Sequence, residues 1–383
     1  MSWPLVKLSD CCEVVGGATP KRQILEYWDS PDVPWITPKD VSDLECPILE
    51  DAPEYISMAG FKSCSASMLP KGSVLVTSRA PIGNIAIAGR DLCTNQGFKS
   101  LVPGKGVDDL YLYYCMKYNS RKLQALGNGA TFKEVSKRVV ENFEIPLPPL
   151  PEQKRIAAIL DKADAIRRKR QRAVQLADDF LRAVFLDMFG DPVTNPKGWP
   201  VSPVGDICDC IVPGRDKPKS FSGDIPWITT NELIHLGTTI KKESCAGLTN
   251  HEISEVRARV VPKNSVIMTC TGALGTVSIA GENMVINQQL HAFLPSDYLS
   301  SSYLTFSLAA QKWYMIKMAS STTIPYMNKL VCNSIPVMLP PKKRQEEFEL
   351  LIGRVGSYKS KLSEFCADTA FRVIADKAFS RHM

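Results

Sequence analysis

The chain repeats itself. Residues 32–41 read Asp-Val-Pro-Trp-Ile-Thr-Pro-Lys-Asp-Val, and residues 224–233 read Asp-Ile-Pro-Trp-Ile-Thr-Thr-Asn-Glu-Leu. Five of these ten positions are identical at an offset of 192. The same offset matches Ser73–Gly89 with Ser265–Gly281 at seven of 17 positions. It also pairs Asn95-Gln96 with Asn287-Gln288, Tyr111-Leu112 with Tyr303-Leu304, and Leu147-Pro148-Pro149 with Leu339-Pro340-Pro341. Only the extreme start slips, where Trp3-Pro4 matches Trp199-Pro200 at an offset of 196. One offset held over five separated segments marks a tandem duplication, and twice 192 is almost the whole chain of 383 residues. The fold must be one unit built twice.

Each half has the same grammar. A turn-rich mixed segment comes first, with β-branched strand signals at Ser73–Thr77 and Asn84–Ala88 hinged at Gly83. The counterparts are Ser265–Thr269 and Thr276–Ala280, hinged at Gly275. An amphipathic helical stretch is expected near Leu110–Leu126, and the Pro-rich run Ile145–Pro151 closes the segment. A long helix follows. Pro151 suits a first helical position, and Glu152 complements the helix N-terminus. Apolar residues then recur at helical spacing: Ile156, Ile159, Ala163, Ile166, Ala173, Ala177, Leu181, Val184 and Met188, until Gly190. The second half gives Phe348, Leu351, Val355, Tyr358, Leu362, Phe365 and Val373. Most of these keep the seven-residue rhythm of a coiled coil. About 38 residues at ~1.5 Å each make a rod near ~55 Å long. A helix with one apolar stripe needs a partner, and two rods separated by a globular segment most simply pack antiparallel. Amphipathic helices lying on their own domains are the alternative.

The expected fold is therefore α+β: two similar mixed α/β domains, residues 1–149 and 191–341. Two long helices, 150–190 and 342–383, join them as an antiparallel coiled coil with pseudo-twofold symmetry. A content of 44% hydrophobic and 22% charged residues is enough to bury real cores. The net charge of +6 lies on the helices, which carry +3 each, while the two mixed segments carry −1 and +1. Net charge thus gives the mixed domains no general affinity for polyanions, and any such contact must use local clusters. The run Arg167-Arg168-Lys169-Arg170-Gln171-Arg172 reads as a solvated helix surface. No apolar run at the start resembles a signal peptide, and no stretch approaches the ~20 apolar residues of a membrane span. A soluble, intracellular protein is expected.

Chemical motifs are missing. Twelve cysteines contain no C-x-x-C pair and are accompanied by four histidines, so reduced thiols are expected rather than zinc. There is no phosphate-binding G-x-x-x-x-G-K-[ST] loop, no G-x-G-x-x-G, no G-x-S-x-G and no H-E-x-x-H. An Asn/Asp-Pro-Pro-aromatic motif for holding a target amine is also absent. Glu152-Gln153-Lys154 is the one E-x-K, and it sits at a helix start rather than on a strand beside a partner acid. The chain does not read as an enzyme by itself.

The duplicated layout resembles the DNA-specificity subunit of type I restriction–modification systems. The residues carrying the resemblance are Pro-Leu-Pro-Pro-Leu-Pro-Glu-Gln-Lys-Arg-Ile at 146–156 and its echo Leu-Pro-Pro-Lys-Lys-Arg-Gln at 339–345. The Trp-Ile-Thr segments at 35–37 and 227–229, the Gly-hinged strand pairs, and the join from Phe189-Gly190-Asp191-Pro192 to Trp199-Pro200 also carry it. The second copy departs where Lys342-Lys343-Arg344 replaces Leu150-Pro151-Glu152. The resemblance covers the whole chain. It implies two target-recognition domains, each reading one half of a split, asymmetric double-stranded DNA target, with the helices as spacer. It implies two methyltransferase subunits docked on this chain, with restriction subunits joining them in a cytoplasmic defence against foreign DNA. No cofactor is implied in this chain, because S-adenosylmethionine, ATP and Mg belong to those partners. A duplicated protein–protein scaffold without sequence-specific DNA binding is the alternative.

The repeat also sorts residues. Positions alike in both copies hold the frame: Trp35 and Trp227, Gly83 and Gly275, Gly89 and Gly281. Polar positions that differ between copies are candidates for reading sequence: Lys39 and Asn231, Arg79 and Thr271, Lys99 and His291, Lys133 and Pro325. Arg and Lys donate to guanine O6/N7, and Asn pairs with adenine. The shared Gln96 and Gln288 either contact DNA or close a turn. Lys137 and Lys329 suit phosphate contact, which positions without specifying. Arg215-Asp216-Lys217-Pro218-Lys219 offers another phosphate contact. A solvated surface charge is the competing reading at each of these positions.

Overall fold

The computed structural model describes residues 3–42, 44, 46–79, 81–129, 133–214, 216–320, 323–364 and 367–379. They form two compact units, Met1–Arg172 with Phe365–Met383, and Ala173–Glu364. The division falls inside one continuous helix, Leu150–Phe189.

In the first unit a five-stranded sheet runs in the order Cys12–Gly16, Lys99–Pro103, Val74–Val76, Ile85–Ala88, Ile48–Leu49. Neighbours are antiparallel except the last pair, which is parallel. A smaller sheet places Val33–Ile36 between Glu54–Ile56 and Cys93–Thr94. The second unit repeats the order with Cys210–Ile211, Leu290–Phe293, Val266–Thr269, Val277–Ala280 and Thr238–Thr239. Its smaller sheet gains one strand, Val260–Val261, beside Met284–Ile286. The expected strand pairs are present in both copies at the same register, Val74 opposite Ile87 and Val266 opposite Ile279.

Even the slip at the start is structural. Leu147 N–H donates to Pro4 O at 3.0 Å, and Leu339 N–H donates to Pro200 O at 2.8 Å. Leu5–Lys7 thereby pairs with Glu144–Pro146, and Val201–Pro203 with Pro336–Met338. Each pairing ties the entry of a mixed domain to its exit.

The glutamine of each Leu-Pro-x-x-x-x-Gln segment explains why the motif matters. Gln153 is buried, accepts from Asp108 N–H at 2.9 Å, and donates to Gly106 O at 2.9 Å and Pro148 O at 2.8 Å. Gln345 accepts from Ser300 N–H at 2.9 Å and donates to Tyr298 O at 2.8 Å and Pro340 O at 2.9 Å. One side-chain amide thus joins the first turn of a long helix, the proline run before it, and the cap of a buried helix. Those buried helices, Asp109–Tyr118 and Ser301–Ala310, are capped by Asp108 and Ser300. Their tyrosines Tyr111 and Tyr303 donate to Pro146 O at 2.6 Å and Met338 O at 3.0 Å.

The Leu110–Leu126 expectation needs correction. The stretch forms two helices, Asp109–Tyr118 and Ser120–Ala125, and Tyr111–Met116 are all buried. The first helix is not amphipathic, because the sheet covers one side while the Leu150–Phe189 and Ala367–Phe379 helices pack into the same core. The C-terminal helical region comprises Lys342–Glu364 and Ala367–Phe379, and Phe365 lies outside the described residues. Within the second unit Phe348 meets Phe185 and Phe189, both at 5.6 Å between centroids, while Lys359 pairs with Asp178. Rising numbers on one helix meet falling numbers on the other, so this pair is antiparallel. Within the first unit Ala375 and Phe379 enter the core beside Ile156, Ala157 and Leu160. The helices Leu150–Phe189 and Lys342–Glu364 begin at equivalent positions although Lys342-Lys343-Arg344 breaks the sequence match.

Removing one Gln clamp takes the partner from three backbone groups, buried or part-buried, at up to about 1–3 kcal/mol each. Gln153→Leu should lower the stability of the first unit, and Gln345→Leu that of the second, by about 3 kcal/mol or more. Denaturant unfolding followed by hydrogen exchange in each unit checks this; a loss below about 1 kcal/mol would remove the clamp from the account.

Candidate nucleic-acid interface

The loops at one edge of each unit are tied together by the same hydrogen bonds. In the first unit Ser78 N–H donates to Gly97 O at 2.7 Å, Val135 N–H to Ser78 O at 2.9 Å, and Asn95 N–H to Ile36 O at 2.9 Å. In the second, Cys270 N–H donates to Gln289 O at 2.8 Å, Met327 N–H to Cys270 O at 2.8 Å, and Asn287 N–H to Ile228 O at 3.0 Å. Thr37 donates from its backbone and hydroxyl to Asp40, and Thr229 does the same to Glu232. Gly83 and Gly275 turn the strand pairs at φ of +90° and +85°, which a residue with a Cβ adopts only with strain. Gly89 and Gly281 lie where an added Cβ would crowd Leu49 O at 2.9 Å and Thr239 O at 3.0 Å.

The residues shared between copies behave as frame. Trp35 and Trp227 are buried, and the Trp35 indole donates to Ala18 O at 3.0 Å. On this frame the differing residues form the rim. Lys39 is exposed on the short helix Pro38–Ser42. Arg79 is half-buried and bridges backbone to backbone with Glu134. Lys99 is also half-buried, with Nζ 3.4 Å from Glu134 Oε1, and Lys133 is exposed next to that glutamate. Gln96 is exposed and accepts from the Thr19 hydroxyl. In the second unit Asn231 is exposed, Thr271 bridges with Tyr326, and Gln288 donates to Gly214 O at 3.2 Å. Lys217 is exposed, while Arg215 lies outside the described residues.

One expectation changes. His291, the counterpart of Lys99, is 3% exposed on the strand Leu290–Phe293. An imidazole so covered does not reach a base edge, and burial pushes its pKa down to about 4, with the nearby Lys329 charge adding to the effect. Its Nδ1 has no hydrogen-bond partner among the described residues. Lys137 begins the short helix Lys137–Glu141, just after the tied Val135. It pairs with Glu141 at 3.8 Å and lines a groove with Asp10 and Glu13. Its counterpart Lys329 is exposed and lies near His291 and Cys210.

Some rim residues escaped the sequence pattern. Glu134 and Tyr326 occupy equivalent positions and bridge the two residues already singled out, so alignment of the copies could have found them. Arg22 could not be found that way, because neither Gly214 nor Pro218, at offsets of 192 and 196, carries a like side chain. Its guanidinium lies 3.7 Å from the Trp28 ring centroid and 4.8 Å from that of Trp35, held by both Glu54 oxygens. The basic run is also only partly solvated. Asp164 is fully buried and pairs with Arg167, Arg168 and Lys117. Lys117 donates to Tyr113 Oη at 3.0 Å, and burial lowers its pKa.

Among the described residues no group of three His, Cys, Asp or Glu side chains is placed to hold a metal ion. None of the described helices is long and apolar enough to cross a membrane. What the geometry offers is two similar polar loop edges, each on a rigid frame.

Comparison with known proteins gives this geometry a family. Residues 2–176 and 196–348 match the type I restriction modification DNA specificity domain. The chain belongs to that family. It is 30% identical over 379 residues to the type I restriction enzyme MjaIX specificity subunit of Methanocaldococcus jannaschii, covering 91% of this chain and 86% of that one. It is 26% identical over 157 residues to the EcoR124I/EcoR124II specificity subunit of Escherichia coli, covering 39% and 38%. The fold is shared with the crystal structure of a type I S subunit from M. genitalium at a TM-score of 0.58 and 14% identity, covering 99% of this chain and 96% of that one.

His291 makes the second unit sensitive to acid. Its pKa is near 6.5 when unfolded and about 4 when folded, so the unfolded chain binds more protons between these values. Stability should be full above pH ~6.5 and fall by up to ~3 kcal/mol as pH drops towards ~4. The difference between wild type and His291→Phe in urea unfolding across this window isolates the effect. A difference that does not change with pH contradicts it.

Proposed function

We propose that this chain is the non-catalytic DNA-recognition subunit of a type I restriction–modification complex. Each unit presents its loop edge to one half of a split DNA target. The observation that carries this reading is the frame built twice with different side chains on its rim. An identical frame supplies equal docking, and different rims supply different base preferences, so the target is bipartite and asymmetric. Residues 1–149 and 191–341 act as the target-recognition domains, with 150–190 and 342–383 as the spacer between them.

Within this reading Lys39, Arg79, Lys99 and Lys133 contact one half-site, and Asn231 and Thr271 the other. Gln96, Gln288, Lys217 and Lys329 supply positioning contacts. The chain docks two methyltransferase subunits and directs them, with restriction subunits, to the target in the cytoplasm. S-adenosylmethionine, ATP and Mg reside on those partners. A helix of 40 residues is about 60 Å long, enough to span half-sites separated by roughly one DNA turn of ~34 Å.

The test is binding by the purified complex of this chain with its methyltransferase partner. It should prefer one split sequence over random DNA, with affinity falling steeply as salt rises, because phosphate contacts release counterions. Equal affinity for every sequence would refute the reading. Arg79→Ala should change preference in one half-site only, by about 1–3 kcal/mol. A uniform loss across sequences would make Arg79 a phosphate contact. Inserting one heptad into the Leu150–Phe189 helix should change the tolerated gap between half-sites; an unchanged gap would refute the spacer role.

A further inference from the structure

The two rims differ in chemical kind as well as in residue. At four equivalent positions the first unit carries a cation, Lys39, Arg79, Lys99 and Lys133, and the second carries Asn231, Thr271, His291 and Pro325. At a fifth, Glu134 is replaced by Tyr326. These positions are structurally equivalent, because the Arg79–Glu134 and Thr271–Tyr326 bridges close the same loops. One of these cations, Lys99, is held by the Glu134 carboxylate, and the Glu134 backbone bridges that of Arg79. At these four positions of the second rim the one basic side chain, His291, is covered and neutral at ordinary pH. Tyr326 is 44% exposed and Ile324, two residues earlier, is 59% exposed. Phe132, the counterpart of Ile324, lies outside the described residues.

Base edges in the major groove are distinguished by donors, acceptors and one methyl group. Guanine offers the acceptors O6 and N7 to Arg or Lys, and cytosine offers its N4 donor to Glu. Adenine matches the amide of Asn, and only thymine presents a C5 methyl to apolar or Thr side chains. We infer that the first unit reads a half-site specified by G·C pairs, and that the second reads one specified by A·T pairs through Asn231, Thr271 and Tyr326. The inference rests on the DNA-recognition reading above and assigns a class of base to each half of the target.

Base analogues test it without disturbing the protein fold. The complex of this chain with its methyltransferase partner is bound to its selected target at fixed salt. Arg79→Ala and Asn231→Ala first assign the half-sites to their units. In the Asn231 half-site, replacing thymine by deoxyuridine removes one methyl group and should weaken binding about fourfold at one or more positions, since a buried methyl is worth ~0.8 kcal/mol. Tyr326→Ala should weaken binding to the thymine duplex and abolish its difference from the uracil duplex. In the Arg79 half-site, 7-deazaguanine removes the N7 acceptor and should cost about tenfold, while uracil changes nothing there. Selective binding that is indifferent to uracil at every thymine of the Asn231 half-site overturns the inference and leaves DNA recognition standing. So does an Asn231 half-site without A·T pairs. A complex with no sequence preference at all overturns both.

Discussion

One buried amide holds each copy of this fold together. Gln153 and Gln345 each accept one hydrogen bond and donate two, joining the first turn of a long helix to the proline run and to the cap of a buried helix. A buried amide left unpaired is costly, so the long helix must leave the mixed domain at one place and in one direction. That explains why the helix start survives in the second copy although Lys342-Lys343-Arg344 replaces the proline-containing sequence. The conserved element of the design is a hydrogen-bond set, and the letters around it are free to change.

A frame fixed in this way can carry different surfaces. The loop edges share their backbone bonds but not their side chains. At the equivalent positions the first rim carries four cations and Glu134, one of the cations paired with that acid, while the second carries Asn231, Thr271, His291, Pro325 and Tyr326. The mixed domains carry little net charge, so their discrimination must come from where single groups sit. In the proposed reading the frame positions, and the rim specifies.

The repeat, the hinged strand pairs, the helix start at Leu150 and the frame role of Trp35 and Trp227 were all legible in the sequence. They rest on local propensity or on matches at a fixed offset. Other features were not legible, and each has a physical reason. His291 looked like a polar rim residue because Lys99 is one, yet it is 3% exposed, whereas the longer Lys99 side chain reaches Glu134 with 15% of its surface in solvent. The Asp109–Tyr118 helix looked amphipathic because burial on its second face comes from helices 47 and 258 residues distant in sequence, as the Tyr114–Asp161 and Tyr118–Asp376 bonds show. Arg22 was invisible because its stacking on Trp28 and its pairing with Glu54 have no echo in the other copy. Asp164 neutralises part of a run that reads as plain solvated charge, because Lys117 comes from 47 residues away.

The central claim is that one frame used twice directs chemistry to two different half-sites on DNA. Mapping methylated bases in cells with and without this chain tests it most directly. The account predicts that one bipartite, asymmetric motif loses its methylation when the chain is absent. Unchanged methylation would contradict it, and so would loss confined to a single uninterrupted motif.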